Sequence, residues 1–241
     1  MNMKLRKIRL MALTLAGILL GQAAAEADEG MWLIQDINSA LEKKMQERGL
    51  KLSAGEIYNA DAPGTAVSDA IVSLGFYCTG SIISDRGLLI TNHHCAYSDV
   101  FALSTPEHNY LEEGYWALKE DQELPIPDKQ VFFLKRVLDV TAEAQALREE
   151  LRCKKQPCGM RRISSIMEKK YKKDTGKEAY LSSMWAGEKY YMALYDVYTD
   201  LRLVAAPPVS VAAFGGDNLH LVAPQLIGDR KSHTLLVISL Q

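Results

Sequence analysis

The chain has 241 residues, 48% of them hydrophobic and 24% charged, with a formal net charge of −2 at pH 7. That composition is globular, and the length suffices for one sizeable core or two small ones. A balance so close to neutrality argues against a nucleic-acid or other polyanionic partner.

Residues 1–25 read as a signal peptide. Lys4, Arg6, Lys7 and Arg9 form a positive start, and Leu10–Leu20 is an apolar run too short to span a bilayer comfortably. Small residues then offer cleavage after Ala25 or Ala27. Export to the periplasm or cell surface is the expectation, with no membrane span later in the chain. Ile37, Leu41 and Met45 recur every fourth residue and predict a helix over Ile37–Leu50, with Gly49 suited to its end. A turn-rich stretch follows. Ile71–Cys78, Gly80–Ser84 and Leu88–Asn92 are short runs of β-formers, the last two separated by Asp85-Arg86-Gly87. They predict a hairpin in a barrel or sandwich. Val131–Thr141 reads as a further strand. From Thr141 to about Tyr198 the pattern reads as helical: Leu147 and Leu151 share a face, as do Ile163, Ile166, Met167 and Tyr171. The Lys- and Arg-rich positions between them read as a solvated face. Strand character returns in "LRLVAAPPVSVAAFGGD", interrupted by the rigid Pro207-Pro208 turn.

Export gives the cysteines a meaning. Cys78, Cys95, Cys153 and Cys158 are even in number, and in an oxidising compartment chain order favours the pairs Cys78–Cys95 and Cys153–Cys158. The stretch "LLITNHHCAYSDV" adds His93 and His94 beside Cys95. A metal site is one reading, but neighbouring residues of an extended segment face opposite ways and oxidation consumes the thiols, so no metal is expected. A nucleophilic Cys95 fails on the same oxidation. The remaining reading makes His94 a general base whose backbone is restrained by a crosslink at the next residue.

"FYCTGSIIS" and "GLLITNHHCAY" together resemble the first-barrel motif of chymotrypsin-like serine peptidases. With "DEGMWLIQDI", "STPEHNYLEEGYWA", "ELPIPD" and "DLRLVAAPPVSVAAFGGD", the chain resembles the bacterial family that includes dipeptidyl-peptidases 7 and 11, from about Ala27 to Asp217. The resemblance implies a mainly β fold with helical insertions: the N-terminal barrel of a trypsin-like double β-barrel, here truncated. Residues 26–217 would then be the N-terminal part of the catalytic domain, with a helical insertion over about 141–198. It also implies an exported, cofactor-free enzyme that removes dipeptides from free peptide N-termini with a Ser–His–Asp triad, and full-length relatives that are homodimers. By position, His94 is the family's general base, His93 a support for its loop, and Cys78–Cys95 the first-barrel disulfide.

The family pattern breaks off after Phe214–Asp217. Ungapped, Asp229 falls on the family's triad aspartate, while His220 and Leu221 fall on the Asn-Trp pair that holds the substrate's α-amino group. Leucine cannot accept a hydrogen bond from an ammonium group. Residues 218–241 therefore read as a divergent tail. A frameshift is the expected origin, because one codon choice for Leu221–Gln225 shifts to Trp-Ser-Arg-His, close to the family's Trp-Pro-Arg-His. No Gly-Asn-Ser-Gly-Gly type loop occurs in the sequence, and neither Ser81 nor Ser210 has the glycine neighbours an oxyanion hole needs. The 241 residues alone are expected to be inactive. The competing readings are a non-catalytic secreted peptide-binding β-domain and a chymotrypsin-like endopeptidase.

Overall fold

The structure is a computed structural model and describes residues 32–62, 64–212 and, as a backbone strand, 235–240. Two units divide the chain after Asp36. The described part of the first, residues 32–36, contains a 3₁₀ turn, Ile34–Asp36. Everything below concerns the second.

The unit opens with helix α1 (Ser39–Glu47), whose Asn38 side chain accepts from the Ala40 and Leu41 N–H groups at 3.0 and 3.1 Å. That satisfies two of the donors a helix start leaves open. Helix α2 (Ala54–Ile57) begins with a reciprocal Ser53–Glu56 capping box. Strand β1 (Ile71–Leu74) turns through Gly75 and Phe76, both at positive φ, into β2 (Cys78–Ile82). The predicted first run thus breaks at Gly75, where the chain must enter left-handed space. Strand β3 (Leu88–Asn92) completes an antiparallel meander with β2. Helices α3 (Tyr97–Leu103) and α4 (Tyr110–Glu113) follow, then the short strands β4 (Tyr115–Trp116) and β5 (Leu124–Ile126) and the long β6 (Val131–Asp139).

After β6 come helices α5 (Thr141–Cys153) and α6 (Met160–Thr175). The helical pattern expected to reach Tyr198 stops here. Gly176, left-handed at φ 68°, ends α6, and Glu178–Met184 (β7) and Lys189–Tyr198 (β8) form an antiparallel hairpin. The reason is visible in β7, where Ala179 and Leu181 point inward and their neighbours outward, a period of two. Strand β9 (Leu201–Ala206), the short helix α7 (Val209–Ala212) and β10 (Leu235–Leu240) complete the described elements.

All ten strands among the described residues join one antiparallel sheet in the order β4-β9-β10-β3-β2-β1-β6-β8-β7, with β5 also on β9. Its terminal strands β4 and β7 do not pair, so the described sheet is open, in keeping with the truncated barrel expected. The mainly β fold with helices is as the sequence predicts. Two cores flank the sheet. One gathers Val72, Leu74, Leu89, Val100, Val131 and Leu203; the other packs Val140, Leu151, Ile163 and Met167 of α5, α6 and the segment before them on Tyr190 and Met192 of β8. Among the described residues no helix is long and apolar enough to cross a membrane.

The expected Cys153–Cys158 bridge is not formed: both are free thiols. Cys153 ends α5 at the surface, its sulfur 4.0 Å from Glu149, whereas Cys158 packs against the helical core. Their side chains serve opposite environments, and Lys155 at φ 52° carries the chain around between them.

Candidate active site

The site grows out of the end of β3. Along this strand Leu89 and Thr91 face inward, and Thr91 Oγ1 donates to the Thr79 carbonyl at 2.8 Å, tying β3 to β2. Gly80 eases their close approach. A Cβ there would lie 3.0 Å from Leu89 Cδ2 and 3.2 Å from the Ile90 carbonyl oxygen, so a side chain would force these neighbours to give by a few tenths of an ångström. At Asn92 the strand runs directly into a 3₁₀ turn, His93–Cys95.

That turn separates its three side chains. His93 and Cys95 are buried at 4% relative exposure each, while His94 is exposed. Cys95 is bonded to Cys78 at the start of β2, with the two Cα atoms 5.9 Å apart. The alternation expected of His93 and His94 is therefore present. Ring nitrogen of His94 and the two sulfurs lie within 4.8 Å of one another. Three such donors suit a soft metal on paper, but both sulfurs are consumed by the disulfide, and a disulfide is not a thiolate ligand.

Buried His93 is held below the ordinary histidine range, first by burial and then by the neighbouring His94, against a hydrogen bond to the Pro207 carbonyl. Its Nε2 has no partner among the described residues. A neutral ring fixed to the segment after β9 suits a support for the turn, and burial denies it contact with a substrate. Exposed His94 has the access a general base needs. No carboxylate among the described residues makes an ion pair with it. Asp229, the proposed orienting acid, lies outside the described residues, as do Asp217, His220 and Leu221. Ser81 is half-buried in β2 and Ser210 exposed in α7; the structure assigns neither to His94.

One contributor escapes the sequence reading. Lys129 is buried at 5% exposure, just before β6. Its ammonium donates to the Cys95 carbonyl at 3.1 Å, to the Tyr77 hydroxyl at 2.9 Å and to Asp99 in the first turn of α3. Tyr77 itself donates to the Cys95 carbonyl at 3.4 Å. A signal was available: Lys129 and Val131 are two apart on a segment leading into a strand, so they share the inward face. A lysine there needs a partner.

Relatives put this geometry in context. The sequence is 40% identical over 233 residues to an Asp/Glu-specific dipeptidyl-peptidase of Porphyromonas gingivalis, covering 92% of this chain and 31% of the relative. To a dipeptidyl-peptidase 7 of Porphyromonas endodontalis it is 36% identical, covering 94% of this chain and 27% of the relative. Among solved structures, Porphyromonas endodontalis DPP11 in complex with substrate superposes with a TM-score of 0.74 at 35% identity, over 88% of this chain and 31% of that one. The same protein in complex with the dipeptide Arg-Glu gives a TM-score of 0.74 at 33% identity, with the same coverage. This chain thus spans under a third of the length of these relatives. The family model for peptidase S46 matches residues 27–229, and on that match the chain belongs to the peptidase S46 family.

Proposed function

We propose that this chain supplies the histidine side of a serine-type dipeptidyl-peptidase that releases dipeptides from the free N-termini of peptides. The observation that carries this is His94: exposed at the end of β3, in a turn crosslinked to β2, within a family match that covers most of the chain. In this reading His94 takes the proton of a serine hydroxyl as it attacks the scissile carbonyl. It then protonates the leaving amine, and returns to its neutral state when water hydrolyses the acyl-enzyme. Asp229 is the proposed acid behind the imidazole. His220 and Leu221 occupy the aligned place of the amine anchor, where the leucine offers no acceptor. The serine and its oxyanion hole are contributed by sequence outside these 241 residues. Complexes of DPP11 with a substrate and with dipeptides support a peptide as the ligand class. Export through the N-terminal signal peptide, placement in the periplasm or at the cell surface, and homodimer assembly of the complete enzyme belong to the same proposal.

The test uses fluorogenic dipeptidyl substrates with free and with blocked N-termini. The protein that carries this stretch is expected to cleave only the free form, with sensitivity to serine-directed inhibitors. His94→Ala is expected to lower kcat by at least about 10³-fold, and residues 1–241 alone are expected to release nothing. Cleavage of blocked peptides would point to an endopeptidase instead. Full activity in His94→Ala would sink the assignment.

A further inference from the structure

We propose that Lys129 is a positioning residue for His94, acting through the backbone carbonyl of Cys95 together with Tyr77 and Asp99. The inference rests on His94 being the base. The turn that carries His94 is only three residues long, so its conformation depends on what holds each end. Its N-terminal side is the continuous strand β3, and buried His93 is tied to the Pro207 carbonyl. Its C-terminal side is Cys95, whose sulfur is bonded to Cys78. The peptide unit after Cys95 is held on its N–H side by the Ala96 N–H bond to the His93 carbonyl. Lys129 and Tyr77 hold its carbonyl side, because both donate to the Cys95 oxygen.

The carbonyl needs these partners. The turn's own hydrogen bond runs from Ala96 N–H to the His93 carbonyl, and α3 begins with Val100 N–H on the Ala96 carbonyl. Neither uses the Cys95 oxygen, which the ammonium and the phenol therefore complete. Asp99 then neutralises the ammonium, with side-chain exposures of 4% for Lys129 and 21% for Asp99. One buried lysine thus fastens three segments together: the β1–β2 turn through Tyr77, the His93–Cys95 turn through its last carbonyl, and α3 through Asp99. The imidazole of His94 sits one residue from that junction, and a base misplaced by about an ångström loses on the order of 10²-fold in rate.

The experiment compares Lys129→Met and Tyr77→Phe in the protein that carries this stretch, with kcat normalised to active sites titrated by a serine-directed inhibitor. Lys129→Met is expected to lower kcat per titrated site by about 10- to 100-fold with KM within about twofold. Tyr77→Phe keeps the lysine and loses one donor, so a fall of about threefold is expected. Leu151→Ala, in the core remote from this junction, is expected to lower the melting temperature while leaving kcat per site unchanged. A merely structural Lys129 would behave like Leu151. Unchanged kcat per site in Lys129→Met overturns the proposal; where that variant does not fold, unchanged kcat in Tyr77→Phe overturns it. If the parent releases no dipeptides, the functional reading fails separately. The positioning role is then read from the His94 imidazole proton resonances of the 241-residue chain. Lys129→Met and Tyr77→Phe are expected to move or broaden them, and unchanged resonances in a folded variant overturn it.

Discussion

Two lysine–carboxylate pairs mark the difference between the two halves of this molecule. Lys129–Asp99 lies beside the His94 turn with side-chain exposures of 4% and 21%, inside a junction of three segments. Lys154–Glu150 lies at the end of α5 with exposures of 59% and 58%, one helical turn apart and open to water. Around the first, a disulfide and a buried histidine at the end of the β1–β3 meander meet a buried lysine from the segment before β6. Around the second, α5 and α6 pack an apolar face onto the β7–β8 hairpin, and their charges stay outside. The lesson is that burial, not chemical type, decides what an ion pair does. A buried pair imposes geometry and is costly to break on one side; an exposed one is screened by water and salt.

Replacing Lys129 is the strongest way to break that contrast. Lys129→Met leaves Asp99 without its cation and the Cys95 carbonyl with one donor fewer. Chemical unfolding of the 241-residue chain is expected to show a loss of about 3–4 kcal/mol, moderated by the access Asp99 keeps to water. Removing the crosslink comes next. Cys78 and Cys95 are 17 positions apart, and a loop of that size constrains the unfolded chain by about 3 kcal/mol. The double variant Cys78→Ser with Cys95→Ser is expected to unfold at correspondingly lower denaturant, while dithiothreitol produces the same shift in the parent and none in the variant.

How much of this was legible in the sequence follows the same division. The meander is readable because β-branched runs alternate and Asp85-Arg86-Gly87 separates two of them. The different facing of His93 and His94 is read from strand period, although the two residues lie in the 3₁₀ turn just past the strand's end. Lys129 is readable in position but not in partners, since Tyr77 and Asp99 lie 52 and 30 positions away along the chain. The helical half is readable only as far as Gly176. Beyond it, "KEAYLSSMWAGEKYYMALYDVY" mixes Ala, Glu, Lys and Met with tyrosines, and the good helix formers mask a period of two until β6 is seen pairing with β8. The Cys153–Cys158 bridge fails for a different reason: the two cysteines are close in sequence, but one ends α5 at the surface and the other packs against the helical core, which their spacing does not encode.

A third effect sharpens the site half through pH. His93 is held below its ordinary range chiefly by burial, so the unfolded chain binds a proton more readily than the folded one. The stability it contributes is complete above the unfolded histidine value, near about 6.5. It is lost as pH falls from there toward the lower folded value. Urea midpoints measured from pH 8 to pH 5 are expected to fall more in the parent than in His93→Gln. A parallel fall in both would mean the ring is not protected from protonation by its surroundings.

The smallest effect belongs to the exposed pair, and its smallness is the point. Glu150 precedes Lys154 by one helical turn with 2.5 Å between the charged groups, an orientation that suits the helix dipole because the cation lies toward the C-terminus. Even so, two long side chains must be ordered in water to gain it. Lys154→Gln is expected to cost only about 0.3–0.5 kcal/mol at low salt and nothing measurable in 1 M NaCl, where the screening length falls to about 3 Å. Lys129→Met should keep nearly its whole cost in the same salt, because mobile ions do not reach a side chain that the three segments enclose. Equal salt sensitivity of the two variants would show that Lys129 is solvated as freely as Lys154, and the contrast between the two halves would then rest on the disulfide and His93 alone.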